Sequence, residues 1–185
     1  MKDQCLIETI DLEKTYESTF NESYSFKDII ESKNCNYASV LLKDSIYVEF
    51  LEEFKGKPVL NDSEIKESNY YKMILNHIKN HGAFNGKKDD ASLLLYCRNF
   101  LDLYHFIRRK KFNSGSLFSR SINHTEDSYP LAFKILNTDH YMIYDGHHRA
   151  SCQLVLGRRF IKAKILGTRM NNFQPLQYQE GDLKR

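Results

Sequence analysis

The chain has 185 residues and a mass of 21.9 kDa, with 41% hydrophobic and 28% charged side chains, enough apolar material for a core and too much for a disordered chain. No apolar run approaches the ~18 residues of a membrane span, so no membrane partner is expected. Net charge is +3 but unevenly placed: residues 1–70 hold eight Lys/Arg and 15 Asp/Glu, residues 71–185 hold 19 and nine, so an anionic ligand is expected on the second part.

Met1-Lys2-Asp3-Gln4-Cys5 shows no basic stretch leading into an apolar one, so no secretory signal is read and a cytoplasmic setting is expected. Residues 1–62 mix short apolar runs, such as Ala38-Ser39-Val40-Leu41-Leu42, with acidic residues, and read as an irregular α/β flank of unknown role. Periodicity leaves residues 45–51 open between a strand and a helix start. Residues 63–185 read as the main domain.

Residues 63–111 are helical by pattern. Tyr70, Tyr71, Ile74 and Ile78, with a stop at Gly82, predict one amphipathic helix. A stronger one follows, capped by Asp90 or Ser92, with Leu93, Tyr96, Cys97, Phe100, Leu101, Tyr104 and Ile107 at three-to-four spacing. Its basic end, Arg108-Arg109-Lys110-Lys111, fits either a nucleic-acid contact or a complement to the helix dipole. A polar loop is expected over residues 112–129. Leu131 to Leu136 then reads as a strand, Asn137-Thr138-Asp139 as a turn, and His140 to Tyr144 as the hairpin partner. Asp145-Gly146 breaks the strand, His147 to Leu156 fits a helix ended by Gly157, and Phe160 to Ile165 alternates as a last strand. The expected class is α+β.

Chemistry concentrates in Asp145-Gly146-His147-His148-Arg149, at the strand-to-helix junction. A helix N-terminus carries unpaired N–H groups and partial positive charge. Two imidazoles and a guanidinium placed there suit a bound anion, with Gly146 allowing close backbone approach and Arg149 gripping two oxygens. The competing reading is that Asp145 neutralises Arg149 and the histidines are aromatic fillers. Asp145 suits a Mg²⁺ ligand or a base. Ser151 either adds a hydroxyl or is an ordinary helix-surface serine. Cys5, Cys35, Cys97 and Cys152 form no Cys-x-x-Cys pair, which argues against a zinc knuckle or redox dithiol.

Strand, Asp145-Gly146-His147-His148-Arg149-Ala150, helix, Leu156-Gly157 and Phe160-Ile161-Lys162-Ala163-Lys164-Ile165 together resemble the core of the ParB/sulfiredoxin superfamily, over roughly residues 128–168. The helix at 92–111 stands where that family has its preceding helix. Sulfiredoxins carry a catalytic cysteine where this chain has His147, and partition proteins carry Gly-Glu-Arg-Arg at the turn and a helix-turn-helix domain afterwards. The Asp-Gly-His-His-Arg form is most similar to the free-serine-kinase-like branch. That resemblance implies a kinase of a small hydroxyl-bearing metabolite or sugar, using ATP, ADP or another nucleotide with Mg²⁺. Asp145, His147, His148 and Arg149 would be catalytic, Asp145 the metal ligand, and Gly146, His147, His148, Arg149 and Ser151 would hold the nucleotide. The branch's glutamate base is replaced ahead of the long helix by Asp89 and Asp90, with Glu126 and Asp127 as further candidates. The alternative is a non-catalytic nucleotide- or nucleic-acid-binding module. A nuclease is less favoured, because one aspartate and two adjacent histidines are a thin ligand set. The sequence sets no oligomeric state.

Overall fold

The computed structural model describes residues 6–18, 39–57, 61–110, 129–135 and 138–170. It is an α+β protein whose chain divides into two compact units. Of the described residues, the first contains 6–18, 39–42, 129–135, 138–147 and 160–170, and the second contains 43–57, 61–110 and 148–159. The expected split into residues 1–62 and 63–185 is not the one the contacts make, because strands from the first 62 residues pair with strands near the other end of the sequence.

The first unit is a six-stranded sheet in the order β1-β6-β4-β5-β2-β3. Its strands are β1 (Leu6–Asp11), β2 (Thr15–Ser18), β3 (Ser39–Leu41), β4 (Leu131–Ile135), β5 (Tyr141–Asp145) and β6 (Phe160–Met170). β1 lies antiparallel to β6, with Ile10 opposite Ile161 and Glu8 opposite Ala163. Side chains alternate across the strand, so Leu6, Glu8 and Ile10 share one face with Ile161, Ala163 and Ile165. Ile7, Thr9 and Asp11 share the other with Lys164, Lys162 and Phe160. Asp11 then caps a single 3₁₀ turn, Leu12–Lys14, by accepting the Glu13 N–H at 3.1 Å. That turn lets β2 leave β1 and pair parallel with β5.

β4 and β5 form the hairpin expected from their alternation. Thr138 closes its turn: its N–H and hydroxyl both donate to the Ile135 carbonyl, at 3.2 and 3.0 Å. β6 runs parallel to β4, so the hairpin and the last strand form the middle of the sheet. Phe133, Ile135 and Met142 form a buried cluster there, flanked by Tyr16, Tyr144 and Leu166. The Tyr141 hydroxyl donates to Glu8 at 2.9 Å.

The second unit is helical, with α1 (Ile46–Phe54), α2 (Asp62–Glu67), α3 (Asn69–His81), α4 (Asp90–Lys110) and all but the first residue of α5 (His147–Val155). The ambiguous segment at 45–51 is helix because Ser45 caps it, accepting the Val48 N–H at 3.4 Å. Ser68 joins two helices, donating to the Ile65 carbonyl at the end of α2 and accepting the Tyr71 N–H at the start of α3. α3 ends where expected, at Gly82 with φ of +86°, a left-handed value that strains any residue with a Cβ. The cap of α4 differs from expectation. Asp89 accepts the Ser92 N–H at 2.7 Å, while Asp90 turns away to the Tyr71 hydroxyl at 2.5 Å and to Lys66.

Phe50, Phe54, Tyr70 and Phe100 form the aromatic centre of this unit, with Phe50 4.8 Å from Tyr70 and 5.7 Å from Phe100. Burial of such rings supplies most of a small unit's stability. No described helix is long and apolar enough to cross a membrane.

Candidate functional site

In the first unit, β5 ends at Asp145, whose residue is exposed to solvent. Gly146 follows with φ of +89°, a backbone turn that glycine makes without steric cost. α5 starts on the next residue, so the strand–glycine–helix order read from the sequence is present.

His147 is not a cation at this turn. Burial pushes its imidazole down to about 4, against the smaller opposing effects of the Asp145 carboxylate and a hydrogen bond to the Ile143 backbone. Its Nε2 is out of contact with water. It therefore stays neutral at physiological pH.

This has a consequence for acid stability. Above pH ~6.5 an imidazole is neutral in the folded and unfolded chain alike, so His147 adds no pH dependence. Between ~6.5 and about 4 the unfolded chain takes up a proton that folded His147 refuses. Folding should lose roughly 3 kcal/mol over that window and nothing further from this group below it. Urea unfolding at pH 7.5 and 4.5 should show the loss, and His147→Asn should show a smaller one. Equal losses in both proteins would remove His147 as the cause.

In the second unit His148 sits in an aromatic box. Its ring stacks on Phe100 with centroids 3.9 Å apart and an angle of 21°, and Tyr47 meets it edge-on at 5.2 Å. Its Nε2 is 3.1 Å from the hydroxyl of Tyr70 and 3.1 Å from that of Tyr96. Burial and neighbouring phenols raise Tyr70 well above the ordinary tyrosine range, so it remains a phenol. The sequence placed Tyr70, Tyr96 and Phe100 on apolar helix faces as core residues, and no local signal tied them to a histidine 78 and 52 residues away from the two phenols.

Arg149 is half-buried in the first turn of α5. Ser151 is not a helix-surface residue: it is fully buried, as are its neighbours Ala150 and Cys152 and, a turn on, Val155. Cys97 and Cys152 are buried too, and burial pushes the Cys97 thiol up to about 12 and Cys152 well above its ordinary value. Neither is a ready thiolate nucleophile.

At the end of α4, Arg108 donates to the Lys55 carbonyl at 3.2 Å and Arg109 to the His105 carbonyl at 3.3 Å. Both guanidinium groups thus serve backbone acceptors, His105 being in the last turns of α4. Glu126 and Asp127, named as candidate bases, and the loop expected at 112–129 lie outside the described residues except for Tyr129. Among the described residues no group of three or more His, Cys, Asp or Glu side chains is placed to hold a metal.

Fold and site together define an α+β protein with a strand–glycine–helix turn and a histidine held by two tyrosines. No protein-family model matches this chain, and neither does any curated protein or solved structure.

Proposed function

We propose that this protein is a nucleotide-dependent phosphotransferase, a ParB-like kinase of a small hydroxyl-bearing metabolite or sugar, with phosphates held along Asp145 to Arg149. The observation that carries the reading is the turn itself: β5 ends, Gly146 takes a left-handed conformation, and α5 begins at once with Arg149 in its first turn. Helix N–H groups and a guanidinium bind phosphate oxygens without further charge. His147, buried and neutral, adds no full positive charge at this turn.

ATP or ADP supplies the transferred group. The exposed Asp145 carboxylate would hold a Mg²⁺ ion, which would supply neutralisation of phosphate charge.

ATP, ADP or pyrophosphate should raise the melting temperature by mass action. Arg149→Ala should abolish that rise while keeping a cooperative unfolding transition, read by thermal shift with and without ligand. A rise of the same size in the variant would place the anion elsewhere.

A second reading, a nucleotide- or nucleic-acid-binding module without turnover, draws on the aromatic box. A histidine stacked on Phe100 and held by two phenols also works as a structural residue. The carbonyl contacts of Arg108 and Arg109 favour nucleotide over nucleic acid within this reading. Absence of nucleotide consumption with every hydroxyl acceptor tried would select it.

A further inference from the structure

The carboxylates ahead of α4 are poor candidates for the base of a phosphoryl transfer. Hydrogen bonds from Ser92 hold Asp89 below its ordinary value, and those from Lys66 and Tyr71 do the same to Asp90. A carboxylate stabilised in its charged form is a weaker base.

The second unit contains a different proton acceptor. The Tyr70 and Tyr96 hydroxyls both lie 3.1 Å from His148 Nε2. At that distance a Tyr96 hydroxyl hydrogen reaches His148 Nε2 directly. Nε2 accepts one such hydrogen in its ring plane when the imidazole carries its own hydrogen on Nδ1, the tautomer that a proton-accepting role requires.

We propose that Tyr96 and His148 are the proton-accepting pair of the reaction, an assignment that rests on the phosphotransferase reading. Tyr96 is half-buried whereas Tyr70 is 1% exposed, which makes Tyr96 the phenol that an acceptor hydroxyl reaches. The acceptor oxygen forms a bond to the terminal phosphorus of a nucleoside di- or triphosphate. The bridging P–O bond breaks, and its electron pair leaves on the shortened nucleotide. The acceptor's proton passes to Tyr96 Oη as the Tyr96 proton passes to His148 Nε2. The products are the phosphorylated acceptor, a neutral Tyr96 and an imidazolium.

The box suits that imidazolium, because its ring would lie on the face of Phe100, and an aromatic face attracts a cation. The titratable groups facing His148 are Tyr47 from α1, Tyr70 from α3 and Tyr96 from α4; the Lys87 ammonium lies 5.2 Å from the Tyr96 ring.

The test is steady-state phosphoryl transfer by the full chain, with ATP, Mg²⁺ and the hydroxyl acceptor that the wild type turns over fastest, from pH 5.5 to 8.5. Tyr96→Phe should lower kcat by about 10²–10⁴-fold with the nucleotide KM little changed, and should alter the acid limb of the wild-type profile. Tyr47→Phe, which keeps the ring that meets the same imidazole edge-on, should stay within a few-fold of wild type. A Tyr96→Phe enzyme with the wild-type kcat and pH profile overturns the pair and leaves the kinase reading standing. A wild type without turnover on any acceptor overturns the kinase reading itself. Imidazole ¹⁵N NMR of the wild type gives an independent measurement should Tyr96→Phe fold poorly: an Nδ1–H tautomer at His148 is expected, and an Nε2–H tautomer overturns the assignment.

Discussion

Asp145→Asn should cut turnover at least ~100-fold while nucleotide affinity stays within a few-fold of wild type. The substitution keeps shape and removes charge. Asp145 is exposed at the end of β5, so the fold should tolerate the change. In the proposed kinase the charge would be needed in the transition state of phosphoryl transfer, and less where a nucleotide simply rests on helix N–H groups and Arg149. Kinetics of nucleotide consumption and a separate equilibrium titration check the two halves of the claim. Affinity falling as far as turnover would make Asp145 a ground-state binding group, and unchanged turnover would remove it from the chemistry.

The largest effect on stability should come from Phe100→Ala, at about 3–5 kcal/mol. Phe100 is 1% exposed and touches Phe50, Tyr47, Tyr70 and His148, so its loss opens a cavity among rings that cannot all collapse into it. The urea midpoint should fall with little change in slope. Leu95→Ala, on the same helix but 59% exposed, should change stability by no more than about 0.5 kcal/mol. Similar losses from both substitutions would mean that Phe100 is not central to the second unit's core.

The parts of this fold visible in the sequence are those with local punctuation. The hairpin, α5 and β6 are separated by Gly146 and Gly157, both at positive φ, and alternation or three-to-four spacing fills the intervals. The strands β2 and β3 were not visible, having four and three residues, and their partners are set by pairing and not by propensity. The choice between two adjacent aspartates as cap of α4 was also hidden, because Asp90 is drawn off by a tyrosine 19 residues earlier. Asp145 to Arg149 was legible as a segment. What His148 touches was not, since three helices bring those rings to it.

Pairing of β1 with β6 joins Leu6 to Ile165 across most of the sequence. On a ribosome, β1 is made early and waits until β6 has emerged before its hydrogen bonds can form. The exposed edges of an unfinished sheet are available to other chains in that interval. Pairings this distant along the chain are also slow to find in refolding. The helices α1 to α4, by contrast, pack within a stretch of about seventy residues already synthesised. Birth of the protein is therefore staged, with aromatic helix packing available first and sheet closure delayed until the sixth strand arrives.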